Sequence, residues 1–199
     1  MVISLAHYFT NEENLKSEIK KIYTSINNID FYYYTDNGVF SKEGLDFGTR
    51  LLVETFINQN YPQQKKVLDI GCGCGPIGIC LSKLGFSVDM ADINKRAIHL
   101  AKTSVKEQNL NANVFESNSY ENINNKYDYI ISNPPIKAGK KVLYDIVMNA
   151  KNYLSENGEI WLVIRKDKGA LSLEKDMKKI YNEVNVIEKK KGFFIIKAM

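Results

Sequence analysis

The chain has little with which to build a metal or redox centre. Among 199 residues there are two histidines and three cysteines. Cys72, Cys74 and Cys80 form no C-x-x-C pair and have no histidine beside them, which argues against zinc. An odd cysteine count argues equally against a disulfide framework and for a reducing compartment. No N-terminal apolar segment resembles a secretion signal, and no apolar run approaches the roughly 20 residues that span a bilayer. The expectation is a cytoplasmic protein with no membrane partner. A strong charge of one sign is missing as well. With 27 basic and 23 acidic residues, the net charge of +4 permits an anionic partner such as nucleic acid without requiring one. Repeats and low-complexity linkers are absent, so nothing splits the chain into separate large domains. What is present is a globular composition, 44% hydrophobic and 25% charged, long enough to bury one full core without metal or disulfide help.

The most informative stretch is Val67-Leu68-Asp69-Ile70-Gly71-Cys72-Gly73-Cys74-Gly75-Pro76-Ile77-Gly78. An apolar run ending in an acid and then in glycines reads as a buried strand turning sharply into a helix. Bare glycine backbone lets a ligand lie against it and lets the chain take positive φ at the bend. Two common ligands fit poorly. A dinucleotide fingerprint from Gly71 needs its third glycine where Pro76 stands, and a phosphate loop needs Lys and Ser/Thr where the chain has Ile79 and Cys80. The remaining pattern, D-x-G-x-G-x-G, resembles motif I of class I S-adenosylmethionine-dependent methyltransferases. The resemblance implies that the turn at Gly71, Cys72, Gly73 and Gly75 lies under the methionine part of the cofactor. It also implies that Asp69 helps hold the cofactor's amino end.

The remaining elements alternate. Residues 19–34 read as a β-hairpin turning at Asn27-Asn28, with an amphipathic helix over residues 12–26 as the alternative. His7 and the tyrosines Tyr32, Tyr33 and Tyr34 can touch RNA, but packing roles are the plainer reading of each. Asp46 is an N-cap for a helix ending near Gln59, and the free N–H groups at Gly48 and Thr49 suit a carboxylate as well as a plain cap. A helix from Pro76 to Leu84 precedes a strand ending at Asp92, about 20 residues past the turn, where a carboxylate accepts both hydroxyls of a ribose. Ile93 then lies against adenine. A helix over residues 94–108, with His99 as an ordinary helical residue, leads to a strand over 113–116. Ser117, Asn118 and Ser119 follow, and Asn118 offers a carbonyl acceptor to adenine's amine. A fourth strand over 127–132 runs into Asn133-Pro134-Pro135-Ile136 and a basic loop over 137–141. After it come a helix over 142–154, a turn at 156–158, a strand over 159–164 containing Trp161 as a core residue, and a helix to about Tyr181. Two last strands, 183–188 and 193–198, join through Lys189-Lys190-Lys191-Gly192. The predicted architecture is α/β: a doubly wound, mostly parallel seven-stranded sheet with helices on both faces and an antiparallel C-terminal hairpin. Residues 1–36 form a small N-terminal β-hairpin extension packed on the domain of residues 37–199.

Asn133-Pro134-Pro135-Ile136 carries the chemistry. An amine conjugated to a base or amide is a poor nucleophile, because its lone pair is delocalised. Accepting hydrogen bonds from its N–H groups returns density to nitrogen, and the Asn133 side-chain oxygen with the Pro134 carbonyl supplies two acceptors. The prolines stiffen the turn and add no competing donor. Asn-Pro-Pro before an aliphatic residue looks like the guanine-N2 branch, where adenine-N6 and glutamine-amide enzymes place an aromatic ring. With Gly38-Val39-Phe40-Ser41, Asp46-Phe47-Gly48-Thr49 and Lys137-Ala138-Gly139-Lys140, the chain resembles bacterial small-subunit ribosomal RNA guanine-N2 methyltransferases of the RsmC type from about His7 to its C-terminus. That resemblance implies that Phe40, Asp46, Gly48 and Thr49 join the cofactor pocket. It implies further that Ile136 packs on the flipped guanine, and that Lys137, Lys140 and Lys141 meet the RNA backbone. Arg165, Lys166, Lys168 and the lysines at 189–191 can add phosphate contacts or simply be a solvated surface. Longer family members carry a second, N-terminal methyltransferase-like domain, for which this length leaves no room. The expected partner is ribosomal RNA or the small subunit, bound by a monomer or homodimer, with S-adenosylmethionine as cofactor and no metal. Two rivals stand: methylation of another planar amine (adenine N6 or protein glutamine), against which Ile136 argues, and a non-catalytic cofactor-binding RNA module. Against the second stand the intact Asp69, Asp92 and Asn133.

Overall fold

The computed structural model describes residues 16–199. Strands β1 (Lys20–Ile26) and β2 (Ile29–Thr35) form an antiparallel hairpin. Asn27 and Asn28 close it with φ of 47° and 64°, the left-handed pair that a two-residue turn needs to match strand twist. Residues 20–26 are therefore strand and not helix; His7 lies outside the described residues.

The sequence then alternates as the hydrophobic pattern demands. In order come α1 (Phe47–Ile57), β3 (Lys66–Ile70), α2 (Pro76–Lys83), β4 (Ser87–Asp92), α3 (Lys95–Glu107), β5 (Ala112–Glu116) and β6 (Tyr127–Ser132). They are followed by α4 (Lys140–Asn149), β7 (Leu154–Arg165), α5 (Ala170–Met177), β8 (Val184–Lys190) and β9 (Phe193–Ala198). Helix starts are set by side chains: Asp46 accepts from Thr49 N, and the Asn94 oxygen accepts from Arg96 N and Ala97 N. The seven-stranded sheet has the order β5-β4-β3-β6-β7-β9-β8, parallel except for β9, which runs against both neighbours. Period-2 alternation divides its faces. Val67, Tyr129, Ile131, Trp161, Val163 and Ile195 pack under α1, α2 and α3, while Leu68, Ile70, Ile130, Ile160, Leu162 and Ile164 pack under α4 and α5. Trp161 is fully buried, as its core reading requires.

Several boundaries move. The loop after β6 is shorter than its lysines suggest: residues Ile136–Ala138 form one 3-10 turn, and α4 starts at Lys140. At its far end α4 gives way at Ala150 to a 3-10 turn, so the strand begins at Leu154. The turn at residues 156–158 becomes a bulge inside β7, because Tyr127 pairs with Leu154 and Tyr129 with Glu159. β8 continues to Lys190, leaving Lys191 and Gly192, with φ of 49° and 79°, as the two-residue turn into β9.

The N-terminal hairpin docks on the helical layer. β2's backbone is tied to α3: Tyr34 N donates to Ser104 Oγ at 3.1 Å, and Gln108 Nε2 donates to Tyr32 O at 2.8 Å. Phe31, Tyr33 and Thr35 point inward, while Tyr32 and Tyr34 lie half-buried outside with both hydroxyls on Glu107. Among the described residues no helix is long and apolar enough to cross a membrane.

Candidate active site

The carboxyl ends of β3, β4, β5, β6 and β7 open into one cleft of about 490 Å³, roofed by the segment between the hairpin and α1. β3 delivers the glycine turn to it. Gly71 and Gly73 have φ of +70° and +56°, where a side chain is strained, and nothing stands within 4 Å of a Cβ built on Gly73. That bare backbone faces open cleft. Gly75 does something different. At φ +81° it precedes α2, and a Cβ there would meet Met90 Sδ at 2.9 Å, so it serves helix-to-sheet packing and is not part of the cleft wall.

Three acids surround this backbone, each in a distinct state. Asp69 is completely buried behind the turn rather than on the wall; its Oδ2 accepts from Gly78 N at 3.0 Å, and its Oδ1 has no partner. Burial pushes its carboxyl up to about 7, against the pull of that N–H, with the charge of Asp92 adding to the rise. Asp92 lines the cleft with both oxygens partly engaged, one by Gly73 N and the other by Asn94 N, each at 2.8 Å. Each oxygen keeps an open lone pair, as acceptance from a vicinal diol requires, and burial raises this group too. Asp46 lines the opposite side. Cys72 and Cys74 are buried in the wall with thiols pushed up by desolvation, Cys74 to about 12, so they act as neutral apolar lining. No cluster among the described residues could hold a metal ion.

Past the ends of β4 and β5 lie Ile93, Ser117, Asn118 and Ser119. Asn118 Nδ2 donates to Glu121 Oε1 at 2.8 Å. Ser119, at φ 50°, holds a buried hydroxyl without a partner, as does Tyr33. Tyr33 also lines the cleft. A ligand carrying positive charge and hydroxyls for Asp92, and polar atoms for Tyr33 and Ser119, fits these groups of the wall. S-adenosylmethionine has that set of groups.

The other end is built by β6 and its loop. Asn133, Pro134, Pro135 and Ile136 all line the cleft, and a Cβ on Gly71 would lie 3.7 Å from Pro135 Cδ, so the two motifs abut. Asn133 Nδ2 donates to Thr49 Oγ1 at 2.9 Å. The Pro134 carbonyl is partly used, because it accepts from Ile136 N at 2.8 Å in an inverse γ-turn centred on Pro135 (φ −73°, ψ 79°). One lone pair remains for a second donor.

Of the other expected residues, Phe40, Asp46 and Thr49 line the cleft, and Phe40 is 53% exposed at its mouth. Gly48 does not: a Cβ on it would sit 2.9 Å from Phe193 Cε1, so its role is to let that ring close on α1. Arg165 and Lys168 reach the wall, with Arg165 paired to Asp167 at 2.9 Å; Lys140, Lys141 and Lys166 are exposed outside it. Lys137 is placed in the 3-10 turn after Pro135. Sequence reasoning missed Tyr33, Val163 and Phe193 as lining. Tyr33 was within reach of the β2 alternation, which sends it inward between two outward tyrosines.

Residues 30–197 match the sequence model of the methyltransferase small domain. The chain belongs to that family. Over 197 residues, covering 96% of the chain and 97% of the relative, it is 36% identical to the uncharacterized protein YbxB of Bacillus subtilis. It is 33% identical to ribosomal RNA small subunit methyltransferase C of Colwellia psychrerythraea over 193 residues, 93% of this chain but 52% of that one. The chain thus spans about half the length of that enzyme. The fold superposes with a TM-score of 0.84, at 21% identity, on the T. thermophilus 16S rRNA N2 G1207 methyltransferase (RsmC) solved with AdoMet and guanosine, covering 92% of this chain and 51% of that one. The fold is that of the class I S-adenosylmethionine-dependent methyltransferases.

Proposed function

We propose that the protein transfers a methyl group from S-adenosylmethionine to the exocyclic N2 of a guanine in small-subunit ribosomal RNA. One observation carries the reading: the Asn133-Pro134-Pro135-Ile136 loop opens into the same cleft as the bare glycine turn, with Pro135 against Gly71. S-adenosylmethionine, bound over that turn, supplies a methyl group on a sulfonium. Asp92 on the wall accepts from its hydroxyls, Asp69 behind the turn adds only its charge, and Ile93 with Asn118 lies at the adenine.

The chain's own part at the acceptor end is positioning and electrostatics. Asn133 Oδ1 and the free lone pair of the Pro134 carbonyl accept from the guanine's N–H groups, raising nitrogen density and aiming its lone pair at the methyl. Pro134, Pro135 and Ile136 exclude water from that line, and Ile136 offers an apolar face to the base. A guanine within a helix must first be extruded, which basic residues assist: Arg165 and Lys168 on the wall, and the exposed Lys140, Lys141 and Lys166. The names of the curated relatives support a ribosomal RNA substrate, and the aliphatic Ile136 favours guanine over adenine or glutamine.

Asn133→Ala tests the assignment. Methyl transfer to small ribosomal subunits from cells lacking the protein is expected to fall at least about 10²-fold. Calorimetric affinity for S-adenosylmethionine should stay within a few-fold of the parent. Transfer that persists at the parent rate would remove Asn133 from the chemistry.

A further inference from the structure

Thr49 was expected in the cofactor pocket, yet its hydrogen bonds lead to the acceptor end. Its Oγ1 lies 2.5 Å from Asp46 Oδ2 and 2.9 Å from Asn133 Nδ2, across 84 residues of sequence. These contacts fix the direction of every bond in the chain. A carboxylate only accepts, so the single hydroxyl proton of Thr49 goes to Asp46. Thr49 then has only lone pairs left for Asn133, and of the two ends of an amide only the NH2 donates to a lone pair. Asp46 Oδ1, 3.5 Å from the same Nδ2, repels an amide oxygen from that side. The amide oxygen of Asn133 must therefore face away from α1, and among the described residues no donor reaches it.

Asp46 is itself held in place. Its Oδ1 caps α1 by accepting from Thr49 N at 3.1 Å, so the carboxylate cannot swing without uncapping the helix. Thr49 is 3% exposed, which fixes its rotamer. The start of α1 thus serves as a polarity key for an amide on the far side of the cleft.

We propose that Thr49, oriented by Asp46, is a positioning residue for the methyl acceptor: it locks the Asn133 amide with its oxygen toward the incoming amine. The idea rests on the amine-methylation reading above, since only a substrate that donates N–H needs the acceptor end of Asn133 turned toward it. Without the lock the amide can flip and present NH2 to an amine, donor against donor.

The test compares Thr49→Val, which keeps the volume and removes the hydroxyl, with Thr49→Ser, which keeps the hydroxyl. With labelled S-adenosylmethionine and small ribosomal subunits as probes, Thr49→Val is expected to lower kcat about 10²-fold. The KM for S-adenosylmethionine should be unchanged, the thermal midpoint should fall only modestly for the two lost hydrogen bonds, and Thr49→Ser should restore both the midpoint and most of the rate. A loss confined to cofactor affinity, with kcat intact, would return Thr49 to the cofactor pocket and overturn the proposal. A second readout needs no turnover. Exchange of the Asn133 side-chain amide protons, followed by 15N NMR, should be slow in the parent and Thr49→Ser and fast in Thr49→Val. Equal exchange in all three would overturn the lock even if RNA is methylated. Differential exchange in a protein whose parent form methylates no RNA would support the lock while removing the substrate reading.

Discussion

Asp69 is a carboxyl with no solvent and only one hydrogen bond, from Gly78 N. Burial lifts its folded-state pKa to about 7, above the value of about 3.9 for an unfolded chain. A raised carboxyl contributes stability that is fully present below the unfolded value and is lost as pH rises through the folded one. Asp92, also raised by burial, acts with the same sign. Asp36 acts with the opposite sign: burial there is outweighed by hydrogen bonds from Ser17 Oγ and the Glu18 and Asn37 N–H groups, and its contribution is lost at low pH. The ligand-free protein is therefore expected to lose thermal midpoint between about pH 5 and about pH 7.5, a slope made shallower by Asp69→Asn. Affinity for S-adenosylmethionine should rise over the same window, because an ammonium favours the ionised acid. Differential scanning and titration calorimetry across that range check both, and identical pH profiles for parent and variant would contradict the account.

At the scale of elements, much of the architecture is written locally. Asn27-Asn28 and Lys191-Gly192 supply the positive φ that two-residue hairpins require, and Asp46 and Asn94 cap the helices they precede. Boundaries drifted where tertiary contacts overrode the local pattern. The lysines after Ala138 read as a loop but begin α4, and Asn157-Gly158 read as a turn but forms a bulge held by the pairing of β7 with β6. The cleft lining was legible where a motif is contiguous, at the glycine turn and at residues 133–136. It was not legible where distant elements meet: the Thr49 to Asn133 bond, or the closure of Phe193 on Gly48, which depends on β9 running antiparallel beside β7. The hairpin shows how such contacts hold an element. Its β2 backbone relies on Ser104 of α3 and on Gln108 at that helix's C-cap rather than on the main sheet. Replacing both by Ala should cost about 1 kcal/mol per lost bond. Amide exchange of β1 and β2 should accelerate while the seven-stranded sheet stays protected. Uniform acceleration across the protein would contradict a separately tethered hairpin.

At the scale of the whole molecule, a nearly balanced charge leaves the chemistry to one end of one sheet. The order β4-β3-β6 sets Asp92 and Asn133 on the two sides of the glycine turn that follows β3, all three lining one cleft. The chain matches about half the length of ribosomal RNA small subunit methyltransferase C of Colwellia psychrerythraea. The central claim is that this cleft methylates a guanine amine. Its most direct test is incubation of the protein with methyl-labelled S-adenosylmethionine and small ribosomal subunits from cells lacking it, followed by digestion and nucleoside separation. The account predicts label in N2-methylguanosine. Label in methyladenosine, or in ribosomal protein alone, would contradict it.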